Sequence, residues 1–285
     1  MIYTRIQGGL GNQLFQYCTG RVLADKLGVE LGLDIRGYDE NSPFGVGLGH
    51  FNLRANDTPL GLPSRKEDGL GGFIWDRICG RHKNIYKAAH LGYDPQVFRL
   101  SDGAYIKGYW QSETYFIDQR AQILKDLEIV TPPSAENIAA LQNIENCLSV
   151  SLHIRRGDYV SNAKYNAMHG TCDLNYYERA VAYLVEKLGN DIVIFAFSDD
   201  PDWVAENLKL PVEVHYMRHN SSEKNYEDLR LMARCKHHIV ANSSFSWWGA
   251  WLNPSNDKMV LAPKRWYEDA NTSNPDIVPP AWIEL

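Results

Sequence analysis

The chain has 285 residues, 44% of them hydrophobic and 22% charged, an ordinary globular composition that excludes wholesale disorder and collagen-like order. Lys and Arg number 29 against 35 Asp and Glu, a net charge of −6, so no nucleic-acid partner is expected. Its 16 Tyr, 8 Trp and 9 Phe suit stacking on sugar faces, and equally suit core packing. The five cysteines, Cys18, Cys79, Cys147, Cys172 and Cys235, are scattered and form no CxxC or Cys/His ligand spacing. Neither a disulfide framework nor a zinc site is expected, and a reducing compartment fits. The opening MIYTRIQGG runs straight into a strand without a leader pattern, and no apolar run approaches a membrane span. A cytoplasmic protein is expected, at most peripheral to the cytoplasmic face of a membrane.

Residues 2–6 read as a strand, and the glycine turn Gly8-Gly9-Leu10-Gly11-Asn12 leads into a helix with Leu14, Cys18, Val22, Leu23 and Leu27 at helical spacing. Gly28 stops it and 29–35 is the next strand, a βαβ start that points to a parallel sheet. From 39 to 83 the sequence is glycine- and proline-rich without a clear period and reads as loops. Residues 105–109 form a strand and 113–127 a helix. Thr131-Pro132-Pro133-Ser134 is the linker candidate, dividing the chain into 1–133 and 134–285, with Ser134 as N-cap of a helix ending near Asn143. A second α/β series follows: strands at 148–154, 192–197, 212–216, 238–241 and 259–262, and helices at 174–188, 225–234 and 244–252. The α/β pattern predicts two Rossmann-like lobes facing a central cleft, with ligands beyond the carboxyl ends of the strands.

The glycine turn offers N–H groups at a helix N-terminus, a setting for anions. It is neither GxGxxG nor a P-loop, and tight strand–helix packing explains its glycines equally well. His153-Ile154-Arg155-Arg156-Gly157-Asp158 follows a buried strand, and guanidinium forks there match a diphosphate. The plain alternative is a surface ion-pair cluster with Asp158. His153 alternates inward and reads as a buried hydrogen-bonding histidine. Asp200-x-Asp202 mimics a metal-binding DxD, but Asp then Pro is helix-start chemistry, so a carboxylate reading a base or ribose edge is preferred. In Asn242-Ser243-Ser244-Phe245-Ser246-Trp247-Trp248, hydroxyls and N–H groups at a helix start form a second phosphate cradle. Phe245 faces a base or sugar in this reading, while Trp247 and Trp248 are core.

The pieces GGLGNQLFQY, HIRRGDYV, FSDD and NSSFSWWGAWLN, in this order and spacing, resemble the α-1,2-fucosyltransferases of glycosyltransferase family eleven, from Ile2 to Trp266. The resemblance implies a GT-B-type fold, GDP-β-L-fucose as donor, no cofactor, no required metal, and inversion to an α-1,2-linked fucoside. The implied acceptor is a galactoside-terminated glycan or lipid-linked oligosaccharide, in bacterial polysaccharide or O-antigen assembly. It also implies that Arg155 grips the β-phosphate, that Arg156 shares the charge, and that Asp199 and Asp200 line the nucleotide site with His153. Ser243, Ser244 and Phe245 hold phosphate and base, and Gly9, Gly11 and Asn12 form a donor-facing turn. Arg155, Asp158 and Asn12 are the expected catalytic set, with Asp158, Asp34 and His50 as candidates for a general base.

The donor machinery falls after the linker, which assigns GDP-fucose to the second lobe and the acceptor to the first. There 39–100 resembles a variable binding surface, and His50, Trp110 and Gln111 are the acceptor candidates. Two rivals remain open: another GDP-fucose-dependent transferase, of protein O- or core α-1,6 type, and a non-catalytic glycan- or nucleotide-binding module.

Overall fold

The computed structural model describes residues 1–38, 42, 44–57, 62–64, 70–79, 84–157, 167 and 170–285. The chain divides into Met1–Glu128 with Asn274–Ile277, and Ile129–Ser273 with Val278–Leu285. The break precedes the expected 133/134 boundary because Arg230 donates to the carbonyl oxygens of Ile129 and Thr131, tying that stretch to the second unit. Asn274 donates to the Gln111 carbonyl at 2.8 Å and Asp276 accepts from the Tyr93 amide at 2.7 Å, which returns that short segment to the first unit.

The first unit carries β1 (Ile2–Arg5), β2 (Leu31–Asp34), β3 (Asn56–Asp57), β4 (Ile85–Lys87) and β5 (Tyr105–Lys107). They form one parallel sheet in the order β3-β2-β1-β5-β4. Helix α1 (Leu10–Leu27) crosses from β1 to β2 and ends on Gly28, whose φ of 65° lets its amide close the last turn on Ala24 and Asp25. This helix is buried on nearly every side, and its two buried glutamines are spent on backbone. Gln16 exchanges two hydrogen bonds with the Gln7 main chain, at 2.8 and 3.2 Å. Gln13 donates to the carbonyls of Gly8 and Gly45 and accepts from the Gly47 amide at 3.0 Å. Arg54 bridges Asp25 of α1 to Asp126, which also accepts from Tyr17 at 2.9 Å. These polar clasps hold the described parts of the irregular stretch after β2.

In the first unit three elements escape the periodicity reading, and one expected helix is broken. Strands β3 and β4 are edge strands of two and three residues, too short for a pattern. Helix α2 (Leu70–Ile78) lies inside 39–83. The helix expected at 113–127 is instead two 3₁₀ turns, Glu113–Tyr115 and Ile117–Gln119, followed by α3 (Arg120–Asp126). Ser112 caps the first turn, and Phe116 leaves the helical region at φ −143°, so the run cannot continue.

The second unit opens with α4 (Ala135–Glu145), capped by Ser134 as expected. Then come β6 (Leu148–Ile154), α5 (Leu174–Leu188), β7 (Ile192–Ser198), α6 (Pro201–Asn207), β8 (Glu213–Tyr216) and α7 (Asn225–Arg234). The series closes with β9 (His237–Ile239), α8 (Ser244–Trp251), β10 (Val260–Ala262) and β11 (Ile283–Glu284). The sheet is parallel throughout in the order β11-β10-β9-β6-β7-β8. Val150, Leu152 and Ile154 of β6 and Ile194 and Ala196 of β7 pack against Tyr177, Val181 and Leu184 of α5. Phe195 and Phe197 face the other way, onto Ala140 and Ile144 of α4 and Leu231 and Met232 of α7. On that second face β6 is polar: Ser151 Oγ meets His238 Nδ1 at 2.8 Å, and Asn253 holds the ring's Nε2 at 2.9 Å. Both ring nitrogens are satisfied, and burial keeps His238 neutral by lowering its pKa well below the ordinary value. Trp247 and Trp248 are fully buried, as expected, with ring centroids 4.9 Å apart.

No helix among the described residues is long and apolar enough to cross a membrane. Close packing between α7 and α8 is testable. A Cβ at Gly249 would sit 2.6 Å from Met232 Cε and 2.9 Å from its Cβ. Gly249→Val should therefore lower unfolding stability by about 1–3 kcal/mol, read from urea titrations. An unchanged midpoint and slope would show that the helix pair relaxes without cost.

Candidate active site

Strands β9, β6 and β7 are neighbours and parallel, so the loops leaving their carboxyl ends emerge side by side. The β6 loop carries Arg155, Arg156 and Gly157, the β7 loop Asp199 and Asp200, and the β9 loop Asn242 and Ser243 before α8. Arg155 Nη1 lies 2.8 Å from Asp199 Oδ2. The Arg156 amide donates to Asp199 Oδ1 at 2.9 Å, and its Nε to Asp200 Oδ2 at 3.2 Å. The Arg156 guanidinium also stacks 3.4 Å above the centre of Trp203, on the first turn of α6. Asp199 and Asp200, expected to line the nucleotide site, thus orient the two arginines. Asp202 pairs with Arg218 at 3.0 Å, and no group of three metal-ligating side chains occurs among the described residues. Asp158 lies outside the described residues.

Two neighbours of this cluster were not singled out by sequence. A Cβ at Gly157 would fall 2.5 Å from Asp199 Oδ2, so any larger residue would force that carboxylate to shift. Trp203 reads as a helix residue, and only its spacing from Asp200 hints at a stack. Asn242 is buried and donates to the carbonyls of Gly170 and Trp266, at 3.4 and 3.2 Å. Ser243 Oγ caps α8 by accepting from the Phe245 amide at 3.3 Å, so its hydroxyl serves the helix before any ligand. The half-buried Phe245 ring tilts against His153, centroids 5.6 Å apart. His153 is buried, and among the described residues its Nδ1 has no hydrogen-bond partner. Burial pushes its pKa down to about 4; Asp199 opposes and Arg155 reinforces the shift, leaving a neutral ring at physiological pH.

In the first unit, the carboxyl edge brings Asn12 and Gln111 together: Gln111 Nε2 donates to Asn12 Oδ1 at 2.7 Å. Gly9 and the buried Gly11 lie on the same turn, with Gly9 as N-cap of α1. His50 ends a 3₁₀ turn, Leu48–His50, and is half-buried. Two expectations need correction. Trp110 is only 2% exposed, its ring set edge-on to Tyr115 with centroids 5.5 Å apart, so it is a core residue and not an acceptor surface. Asp34 is buried and accepts from Arg36 at 2.8 Å and from Tyr105 at 2.8 Å. Burial raises its pKa, but those donors outweigh it and hold the carboxyl below the usual range, which unsuits it as a base.

The fold is shared with Arabidopsis thaliana FUT1 in complex with GDP, at a TM-score of 0.52 and 12% identity, over 98% of this chain and 75% of that one. It is a GT-B-type α/β fold with two Rossmann-like units, the architecture of a class of glycosyltransferases. The family model for glycosyl transferase family 11 matches residues 89–285. An alpha-1,2-colitosyltransferase of Escherichia coli is 33% identical over 296 residues, spanning 100% of this chain and 99% of that protein. The O-antigen biosynthesis glycosyltransferase WbnK of Escherichia coli is 32% identical, with 100% of both chains covered. Galactoside 2-alpha-L-fucosyltransferase Sec1 of Mus musculus is 23% identical over 92% of this chain and 67% of its own. The chain belongs to glycosyl transferase family 11 and is a glycosyltransferase.

The buried, neutral His153 has a pH signature. Its folded pKa of about 4 lies below the ordinary 6.5, so the unfolded chain binds the extra proton between those values. The stability this contributes is complete above pH 6.5 and is lost as pH falls toward 4, by up to about 3 kcal/mol. Urea titrations of wild type and His153→Gln at pH 7, 5.5 and 4 should show their difference in stability moving against wild type on acidification. A pH-independent difference would place a solvated imidazole there, and a difference moving in favour of wild type a charged one.

Proposed function

We propose that this glycosyltransferase moves L-fucose from GDP-β-L-fucose to the 2-hydroxyl of a terminal galactoside, with inversion and without a cofactor or metal. The setting proposed is bacterial O-antigen or related polysaccharide assembly, at the cytoplasmic side of the membrane. One observation carries this reading: Arg155 and Arg156, oriented by Asp199 and Asp200, share a sheet edge with the N-terminus of α8. Guanidinium forks and helix-terminal N–H groups suit a diphosphate. The linkage and acceptor class draw support from the activities for which the colitosyl- and galactoside-fucosyl relatives are named, and the nucleotide from the GDP of the Arabidopsis structure.

In the proposed reaction the bond between the fucose anomeric carbon and the β-phosphate oxygen breaks, and both electrons leave with GDP. The acceptor oxygen attacks the opposite face of an oxocarbenium-like sugar and loses its proton to a base or to solvent. Charge builds on the leaving phosphate, where Arg155, Arg156 and the Ser244 amide at the start of α8 stabilise it. His153, being neutral, contributes hydrogen bonding without charge. The acceptor is assigned to the first unit through His50 and Gln111, and Asp158 and His50 are the remaining base candidates.

A second donor has a specific observation behind it: a relative of 33% identity is named for colitose, which is fucose without its 3-hydroxyl. Incubation with GDP-fucose or GDP-colitose, each with lactose, lacto-N-biose and N-acetyllactosamine, separates them by NMR of the product linkage. An α-1,2-fucoside is expected. Turnover of GDP-colitose alone would move the donor assignment, and an α-1,6 product or GDP binding without turnover would favour the other readings.

Arg155→Ala should cost roughly 2–4 kcal/mol of transition-state stabilisation, about 30- to 1,000-fold in kcat/KM. Arg155→Lys should recover little, because a point charge cannot replace the fork. Near-normal transfer by a folded Arg155→Ala protein would remove the arginine from the mechanism. The rate in excess EDTA should equal the rate with added magnesium or manganese. An EDTA-sensitive enzyme restored by one divalent ion would refute the metal-free reading.

A further inference from the structure

Helix α2 is amphipathic the wrong way round for a core helix. At about 100° per residue, Leu70, Ile74 and Ile78 align on one stripe with Trp75 at its border, and Asp76 falls on the opposite side. The apolar stripe faces outward: Leu70 is 66% exposed, Ile74 48%, Trp75 62% and Ile78 73%. The acid faces inward, buried, where its carboxylate accepts from the Ser64 amide at 2.7 Å. The half-buried Phe73 sits nearer the Asp76 side. A helix tethered by its acid while showing four large apolar side chains has its hydrophobic face waiting for a partner.

Charge narrows the partner. Residues 65–87 contain six Lys or Arg (Arg65, Lys66, Arg77, Arg81, Lys83 and Lys87) against Glu67, Asp68 and Asp76, a net of +3 in a chain whose total is −6. Arg77 is exposed next to the apolar stripe on the helical wheel. A second copy of the chain would bring two such positive segments together and be opposed by them. An anionic bilayer complements both features, since interfacial helices combine an apolar face, a border tryptophan and basic residues. We propose that α2 is a membrane-surface docking helix for anionic phospholipid, inserting Leu70, Ile74, Trp75 and Ile78 at the headgroup–acyl boundary. This inference stands independently of the donor assignment.

The test is co-sedimentation of the full chain with vesicles of phosphatidylglycerol and phosphatidylethanolamine, beside pure phosphatidylcholine. Wild type should bind the anionic vesicles, less so at high salt, and bind phosphatidylcholine weakly. Replacing the stripe together (Ile74→Ser, Trp75→Ser, Ile78→Ser) should cut partitioning by about tenfold or more. Arg77→Glu, which keeps the apolar face, should weaken binding to anionic vesicles only. Because these side chains are exposed, circular dichroism and thermal unfolding should match wild type. Sedimentation equilibrium reads the rival: a wild-type dimer that the triple variant makes monomeric, with no vesicle binding by either, would overturn the proposal. So would equal vesicle binding by wild type and triple variant.

Discussion

Asp199 is the contact on which the carboxyl edge of the second unit depends. Its two oxygens take the Arg155 guanidinium and the Arg156 main-chain amide, tying the loop after β6 to the loop after β7. Gly157 is what admits the carboxylate, since any Cβ there would overlap Oδ2. This clasp orients Arg155 and sets the charges around His153, while Asp200 and Trp203 direct the Arg156 guanidinium. Parallel pairing in register from Leu148↔Ile192 to Ile154↔Ser198 brings the partners to the same height, so the clasp is a consequence of strand register.

The first unit solves the same problem with neutral groups. Gln13 and Gln16 are fully buried in α1, yet their amides bond main chain from the glycine turn and the stretch around Gly45 and Gly47. A leucine at either position would fill the volume and leave buried carbonyls and amides unpaired, at about 1–3 kcal/mol for each such group. Tyr38 adds a further bond to the Gly8 carbonyl at 2.7 Å. The turn is therefore shaped by side chains on two separate segments, α1 and the stretch after β2.

The periodic elements were legible because their hydrophobic pattern is set by the core. Helix α5 shows its stripe of Tyr177, Val181 and Leu184 in sequence, and the run at β7 is apolar because both its faces are buried. What stayed hidden has physical causes. Strands β3, β4 and β11 have two or three residues each and draw their stability from a neighbour. Helix α2 has only nine residues and carries Gly71 and Gly72 in its first turn, which read as a loop and hide its apolar stripe. Trp110 looked like a surface aromatic beyond a strand, but its backbone takes φ 57° and turns the ring inward beside Tyr86 and Tyr115. The candidate motifs of the second unit were brought together by topology, while the pairing of each acid with an arginine depends on register between strands.

The strength of the arginine pairs bears on what the edge can do. The Arg155 and Asp199 side chains are both partly exposed, a setting in which an ion pair is worth about 0–1 kcal/mol. Such a pair adds little to stability, so its effect is on orientation. Were it fully buried, separating it would cost about 3–5 kcal/mol and the arginine could not change partners readily. At partial exposure the diphosphate of the proposed donor could draw the Arg155 guanidinium from Asp199 at small cost, and Asp199 would still hold the Arg156 amide through its other oxygen. The loop keeps its shape while the guanidinium turns to a new anion. Such a change of partner is what the proposed function asks of a site that must grip a leaving group as its charge develops and release it afterward.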